Sequence, residues 1–178
     1  MLRHVDTSSR PVWDRLVQAY EFEFSRITGK LPEPDGTLPL DTVLGDGVEG
    51  WIFWSEGRPA GFAAVVDHGQ VREVAEFYVV PGYRGRGLGR TLAASLFDRA
   101  PGCWVVKQLV EATSAQAFWR KVLSDLPCQD MREETFVDPQ WGLVVCQRFV
   151  WSARCGGACS DDDRARPAGA ERVDLPWS

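Results

Sequence analysis

Trp13, Leu16, Val17, Tyr20, Phe24 and Ile27 recur at helical spacing, which predicts an amphipathic helix ended by a left-handed cap at Gly29. Ahead of it, residues 2–5 read as a short strand, with Ser9 as the N-cap and Pro11 at the first helical position. Lys30 to Gly50 holds Pro32, Pro34, Pro39 and several glycines, so a loop without readable chemistry is expected there. Two strands, Trp51 to Trp54 and Ala60 to Val66, follow across a hairpin turn containing Gly57, and a third runs from Val71 to Val80. Leu88, Leu92 and Leu96 mark one face of a helix from Gly87 to Ala100, stopped by Pro101-Gly102. After a strand from Cys103 to Val110, Thr113 and Gln116 have the form of a capping box. The helix they open runs through Leu123, with Ala115, Phe118, Trp119 and Val122 as its buried stripe. Strands near Cys128 to Val137 and Trp141 to Trp151 complete the series. This order implies an α/β fold with one mixed, mostly antiparallel central sheet flanked by helices.

Composition narrows the class. With 178 residues, 44% hydrophobic and 25% charged, the chain can bury roughly 70% of its unfolded surface in one core. One domain is expected over residues 1–151, followed at 152–178 by a disordered polar tail rich in Asp, Arg, Ala, Gly and Pro. No segment reaches the ~18 apolar residues of a membrane span, and the N-terminus lacks a secretory apolar region, so the expected location is cytoplasmic. Five cysteines, an odd number in a chain with an adequate core, suggest reduced thiols. Cys155 and Cys159 have no nearby ligands to complete a zinc site, and no metal is expected. The net charge of −5 points away from nucleic acid and toward cationic partners.

Arg84-Gly85-Arg86-Gly87-Leu88-Gly89-Arg90 is the most informative stretch. It follows a strand and opens a helix, so glycine-permitted turns and free helix N-terminal amides would face an anion, with three arginines adding charge. It has no Gly-Lys-Ser/Thr ending, and it sits mid-chain, unlike a P-loop or a dinucleotide fingerprint. Arg84, Gly87 and Gly89 resemble, position by position, the Arg/Gln-x-x-Gly-x-Gly/Ala pyrophosphate loop of the GNAT superfamily of acyl-CoA-dependent N-acyltransferases. Ala115-Gln116-Ala117-Phe118-Trp119 is similar to the Ala-x-x-Phe-Tyr/Trp helix that flanks the pantetheine arm in that family. The resemblance covers residues 2 to 150.

The resemblance implies acetyl-CoA as acyl-donor co-substrate, with its pyrophosphate on Arg84, Gly85, Arg86, Gly87, Leu88, Gly89 and Arg90. Backbone groups near Tyr78, Val79 and Val80 would hold the pantetheine arm, and Phe118 and Trp119 would wall the thioester. Trp119 stands where the family often has a Tyr that protonates the leaving thiolate, a step indole cannot perform; Tyr78 and Tyr83 are nearby phenols. Ala112 replaces the usual Asn.

Acyl transfer needs a neutral amine, and an alkyl amine of pKa near ~10.4 lies about 3.4 units, roughly 4.6 kcal/mol, from that state at pH 7. A general base is therefore expected. Glu76 stands eight residues before Arg84, a spacing at which several GNAT members carry an acidic residue that takes the proton from the acceptor, and Glu73 eleven before it, the spacing of the catalytic glutamate in other members. Three apart on one strand, they point to opposite faces, so one of them at most looks into the acceptor cleft. Glu21 and Glu23 could attract a cationic acceptor, the alternative being the wet side of a helix. His4 and His68 form neither a triad nor a metal site. The expected activity is N-acetyl transfer to a primary amine of a small molecule or peptide, without membrane or nucleic-acid partners and with a homodimer left open. Alternatives are another acyl donor, such as a longer acyl-CoA or an aminoacyl-tRNA, and a non-catalytic acyl-CoA-binding module.

Overall fold

The first helix, α1, runs Arg10–Thr28 and buries Trp13, Leu16, Val17 and Glu21. Trp13, Val17 and Glu21 lie four residues apart, so the carboxylate falls on the apolar stripe itself. The computed structural model describes residues 1–152; the tail expected at 152–178, with Cys155 and Cys159, lies past Ser152 and outside the described residues. The start of α1 differs from expectation. Ser9 makes no cap bond and Pro11 takes the second helical position. Instead Asp6 Oδ1 accepts from the Ser8 hydroxyl at 2.7 Å and from the Ser9 amide at 2.8 Å. These bonds, the Ser8 hydroxyl first, hold the Asp6 carboxyl down at about 2. Gly29 ends the helix as expected, at φ 71° with its amide on the Ser25 carbonyl at 2.8 Å.

The described chain falls into two compact units, one of Met1–Asp67 with Val74–Leu96, the other of His68–Glu73 with the chain from Phe97. In the first, β1 (Leu2–His4), β2 (Val48–Ser55), β3 (Arg58–Asp67) and β4 (Val71–Val79) lie in the order β1-β2-β3-β4. The β1–β2 and β2–β3 pairs are antiparallel. Glu56 at φ 50° and Gly57 at φ 73° make the two-residue turn between β2 and β3, the left-handed pair that matches strand twist. Trp13, Leu16 and Val17 pack with Ile52, Phe62, Ala64 and Tyr78. Trp13 meets Phe62 edge-on at 4.8 Å, an arrangement worth about 0.5–1.5 kcal/mol beyond area burial. The helix α2 (Leu88–Phe97) follows a single 3₁₀ turn at Pro81–Tyr83.

In the second unit, β5 (Gly102–Leu109), α3 (Thr113–Asp125), β6 (Cys128–Asp138) and β7 (Gly142–Trp151) place their strands in the order β5-β7-β6, both pairs antiparallel. Val105, Phe136, Val144 and Cys146 pack together. A separate aromatic cluster is built on Phe97, whose ring lies 5.0 Å from Trp104 and 5.0 Å from Phe149. This cluster explains why α2 stops three residues before the expected end. Asp98 and Ala100 leave the helix to accept hydrogen bonds from the indoles of Trp151 and Trp104, at 3.0 and 2.9 Å. The capping box expected at Thr113 does not form: the Gln116 amide donates to the Leu109 and Val110 carbonyls at 3.1 and 2.9 Å, pinning α3 to the end of β5. Cys128 and Cys146 are free thiols, pushed up to about 11 and about 12 by burial.

The architecture is mixed α/β with mostly antiparallel strands, as the element order implies. A close backbone approach fixes one side of β4. A Cβ on Gly61 would stand 2.2 Å from the Tyr78 carbonyl oxygen and 3.2 Å from Val79 Cα, contacts only glycine allows. Gly61→Ala is therefore expected to destabilise the fold by about 1–3 kcal/mol, the usual cost of overpacking, read as a lower urea midpoint at unchanged slope. An unchanged midpoint would mean that β3 and β4 stand farther apart there.

Candidate active site

Beyond β4 the backbone turns through the glycine loop into α2. The Val80 amide donates to the Ala60 carbonyl at 2.9 Å, and Tyr83 and Arg84 amides close the 3₁₀ turn. Gly85 and Gly87 then take φ 73° and 76° with open space where a Cβ would be, so their requirement is backbone conformation, not crowding. The Thr91 amide reaches back to the Gly87 carbonyl at 3.1 Å, closing the first turn of α2, and a helix N-terminus suits an anion. Arg86 is exposed and has no ion-pair partner among the described residues. Gly89 lies in the first turn of α2 and Arg90 is exposed on it. These features fit a pyrophosphate group.

Arg84 is used differently from the sequence expectation. Its guanidinium makes a bidentate pair with Glu23 at 2.6 and 2.8 Å, donates from Nε to the Val79 carbonyl at 2.7 Å, and lies over the Tyr78 ring at 5.4 Å. The charge assigned to a phosphate is thus spent on α1, and Glu23 is occupied by Arg84 rather than open to an acceptor. Among the groups expected to hold a pantetheine arm, the Val79 carbonyl and the Val80 amide are both engaged.

Alternation along β4 buries Val74, Glu76 and Tyr78 in turn. Glu76 is 4% exposed, and neither carboxylate oxygen has a hydrogen-bond partner. Burial pushes its carboxyl up to about 7, the Glu21 and Asp41 charges add to the rise, and the Thr42 hydroxyl and Lys30 oppose it without making a bond of regular geometry. Tyr20 completes the surroundings, stacked on Phe24 at 5.3 Å and edge-on to Tyr78 at 5.9 Å. Burial, then the charges of Glu76, Glu21 and Asp41, drive the Tyr20 phenol well above its usual range. A buried carboxyl held near neutral pKa can accept a proton from a nucleophile.

The profile of the acetyltransferase (GNAT) family matches residues 13–124. The chain belongs to the GNAT acetyltransferase family. It is therefore an enzyme of the acyltransferase class, and the family uses acetyl-CoA. No curated protein gives a match. Among solved structures, the fold is similar to the ribosomal-protein-alanine N-acetyltransferase from Brucella melitensis, at 17% identity and TM-score 0.56 over 84% of this chain and 99% of that one. It is also similar to the aminoglycoside 6′-N-acetyltransferase from Enterococcus faecium, at 8% identity and TM-score 0.58 over 88% and 99%. An aminoglycoside acetyltransferase in complex with coenzyme A matches at 16% identity and TM-score 0.60 over 83% and 92%.

Within this GNAT chain the remaining candidates separate. Glu73 turns away from Glu76, to Lys107 at 2.9 Å and His68 at 3.2 Å, and Lys107 also binds Asp138 at 3.1 Å. Trp119 is a core residue, 5% exposed and packed on Phe97 and Phe118 at 6.4 and 5.1 Å, while Phe118 is half-buried. Glu21 is fully buried and its cation is the chain's own Lys30, at 2.8 Å. Sequence reasoning missed Tyr20, Lys30, Asp41 and Thr42 as neighbours of Glu76. The Trp13, Val17, Glu21 spacing was a signal for a buried carboxylate on α1; the 30–50 loop offered none.

The Glu76 carboxyl has a stability consequence. Folded, it holds its proton up to about 7, against 4.5 ordinarily, so the folded state binds more protons in that window and stability falls as pH rises through it. Glu76→Gln should match the parent near pH 4 and gain over it up to about 3 kcal/mol by pH 8. Denaturant unfolding across pH reads this directly, and a variant less stable than the parent at pH 8 would contradict the assignment.

Proposed function

We propose that residues 1–151 form an N-acetyltransferase domain that moves an acetyl group from acetyl-CoA to a primary amine, with Glu76 as general base. The single observation that supports this most is the buried, unpartnered Glu76 carboxylate, held near neutral pKa. Acetyl-CoA supplies the acyl group as a thioester. The anion cradle at Gly85, Gly87 and the start of α2, with Arg86, would hold the pyrophosphate. Ionised Glu76 takes the proton from the acceptor nitrogen as the N–C bond forms and the C–S bond breaks.

The thiolate, of pKa near ~8.5, can leave without a dedicated acid. Trp119 cannot supply one, and Tyr78 is buried under Arg84. Glu21, Asp41 and Glu76 outnumber the Lys30 ammonium in this part of the chain, which favours a cationic acceptor. The ribosomal-protein-alanine and aminoglycoside acetyltransferases of like fold act, by name, on amine-bearing molecules, which supports the amine class for either a small-molecule or a peptide acceptor. No described helix is long and apolar enough to cross a membrane, and we assign the domain to the cytoplasm.

Glu76→Gln should lower kcat/KM at pH 7 by about 10² to 10⁴, the worth of a positioned base, while Glu73→Gln stays within about tenfold. The Glu76 defect should shrink at high pH, where the amine arrives neutral. Steady-state rates on an amine panel, with acetyl-CoA binding followed by calorimetry, test this; a larger loss at Glu73, or a Glu76 defect independent of pH, would overturn it.

A further inference from the structure

Glu21 is a charged group on the apolar stripe of α1, fully buried, where a carboxylate is costly unless paired. Its Oε2 accepts from the Lys30 ammonium at 2.8 Å and its Oε1 from the Asp41 amide at 3.4 Å. The same ammonium donates to the Pro39 carbonyl at 3.2 Å and pairs closely with the Asp41 carboxylate. One carboxylate on the helix therefore gathers both ends of the 30–41 segment, and the next residue, Thr42, is the hydroxyl beside Glu76. On the same helix, Gln18 adds a second fastening, its amide donating to the Leu38 carbonyl and accepting from the Leu38 amide, each at 2.9 Å.

We propose that Glu21 is a positioning residue for the acyl-transfer base: through Lys30 and Asp41 it fastens the 30–42 loop onto α1 and sets the net charge that Glu76 faces. This rests on the reading of Glu76 as the base. The groups whose charge or hydroxyl acts on Glu76 are Glu21 from α1 and Lys30, Asp41 and Thr42 from the loop, and Glu76 in turn acts on Tyr20; Tyr78 shares its face of β4. With Lys30 protonated, two carboxylates against one ammonium leave the trio at −1. That charge opposes ionisation of Glu76 and so keeps the base near the pH at which it must both hold and release a proton. Replacing Glu21 by Gln keeps the shape and makes the trio neutral. Removing Lys30 as well returns the trio to −1 through Asp41, so charge and side-chain identity are separable.

The test follows Glu76 by two readouts in the parent, Glu21→Gln, Asp41→Asn and the double variant Glu21→Gln/Lys30→Met. One is the acid limb of kcat/KM against pH. The other needs no activity: the pH at which the stability of each protein diverges from that of the same protein carrying Glu76→Gln. Both should move to lower pH by roughly half a unit to one unit in Glu21→Gln and in Asp41→Asn, and return toward the parent in the double variant. Asp41, more exposed than Glu21, serves if the buried substitution impairs folding. Limbs and stability steps that stay at the parent pH in both single variants, or a double variant that coincides with Glu21→Gln, would overturn the proposal. A stability step that moves while the acid limb does not would uphold Glu21 and refute Glu76 as the base.

Discussion

A carboxyl group buried without a partner is the constraint that organises this molecule. Glu76 sits on the inward face of β4 between Val74 and Tyr78, where water does not reach its oxygens. A group displaced from 4.5 to about 7 costs the fold about 3 kcal/mol when ionised, a sizeable part of the ~5–15 kcal/mol that separates folded from unfolded states. The aromatic packing of Trp13, Phe62 and Tyr78 in the same unit is what tolerates such a group. Its retention makes sense as chemistry: a carboxyl that titrates close to neutral pH is a better proton acceptor from an ammonium than one held near 4.

Of the four carboxylates the sequence singles out, Glu76 alone has no ion-pair partner among the described residues. Glu23 is held by Arg84, Glu21 by Lys30, and Glu73 by Lys107. The Arg84 pair is partly exposed on both sides and contributes little to stability, so its importance is geometric. It draws the first arginine of the glycine loop back onto α1, and in the proposed function the pyrophosphate is left to the loop's glycines and Arg86.

Much of the fold was legible from periodicity, because apolar stripes and glycine turns are local features. The left-handed cap at Gly29, the Glu56-Gly57 turn and the alternation of β4 all follow from nearest neighbours in sequence. The misreadings were of groups whose partners are distant or of another kind. Asp6 displaced Ser9 as the cap, Gln116 turned from its expected box to the β5 carbonyls, and α2 ended early because two tryptophan indoles claim Asp98 and Ala100. At the site, strand alternation separated Glu76 from Glu73, and the left-handed turns at Gly85 and Gly87 were legible from the glycines themselves. The role of Lys30 and Asp41 was not legible, since it depends on a proline-rich loop folding back over twenty residues onto Glu21.

The chemistry proposed for this site turns on the protonation of one side chain, and that can be observed without an acceptor in hand. Carboxyl-carbon NMR of the selectively labelled protein, with Glu76→Gln to assign its signal, follows this group through a pH titration. A midpoint near 7 is the predicted result. A midpoint near the ordinary 4.5 would mean that Glu76 is solvated like any surface carboxylate, and the account of this site would fail with it.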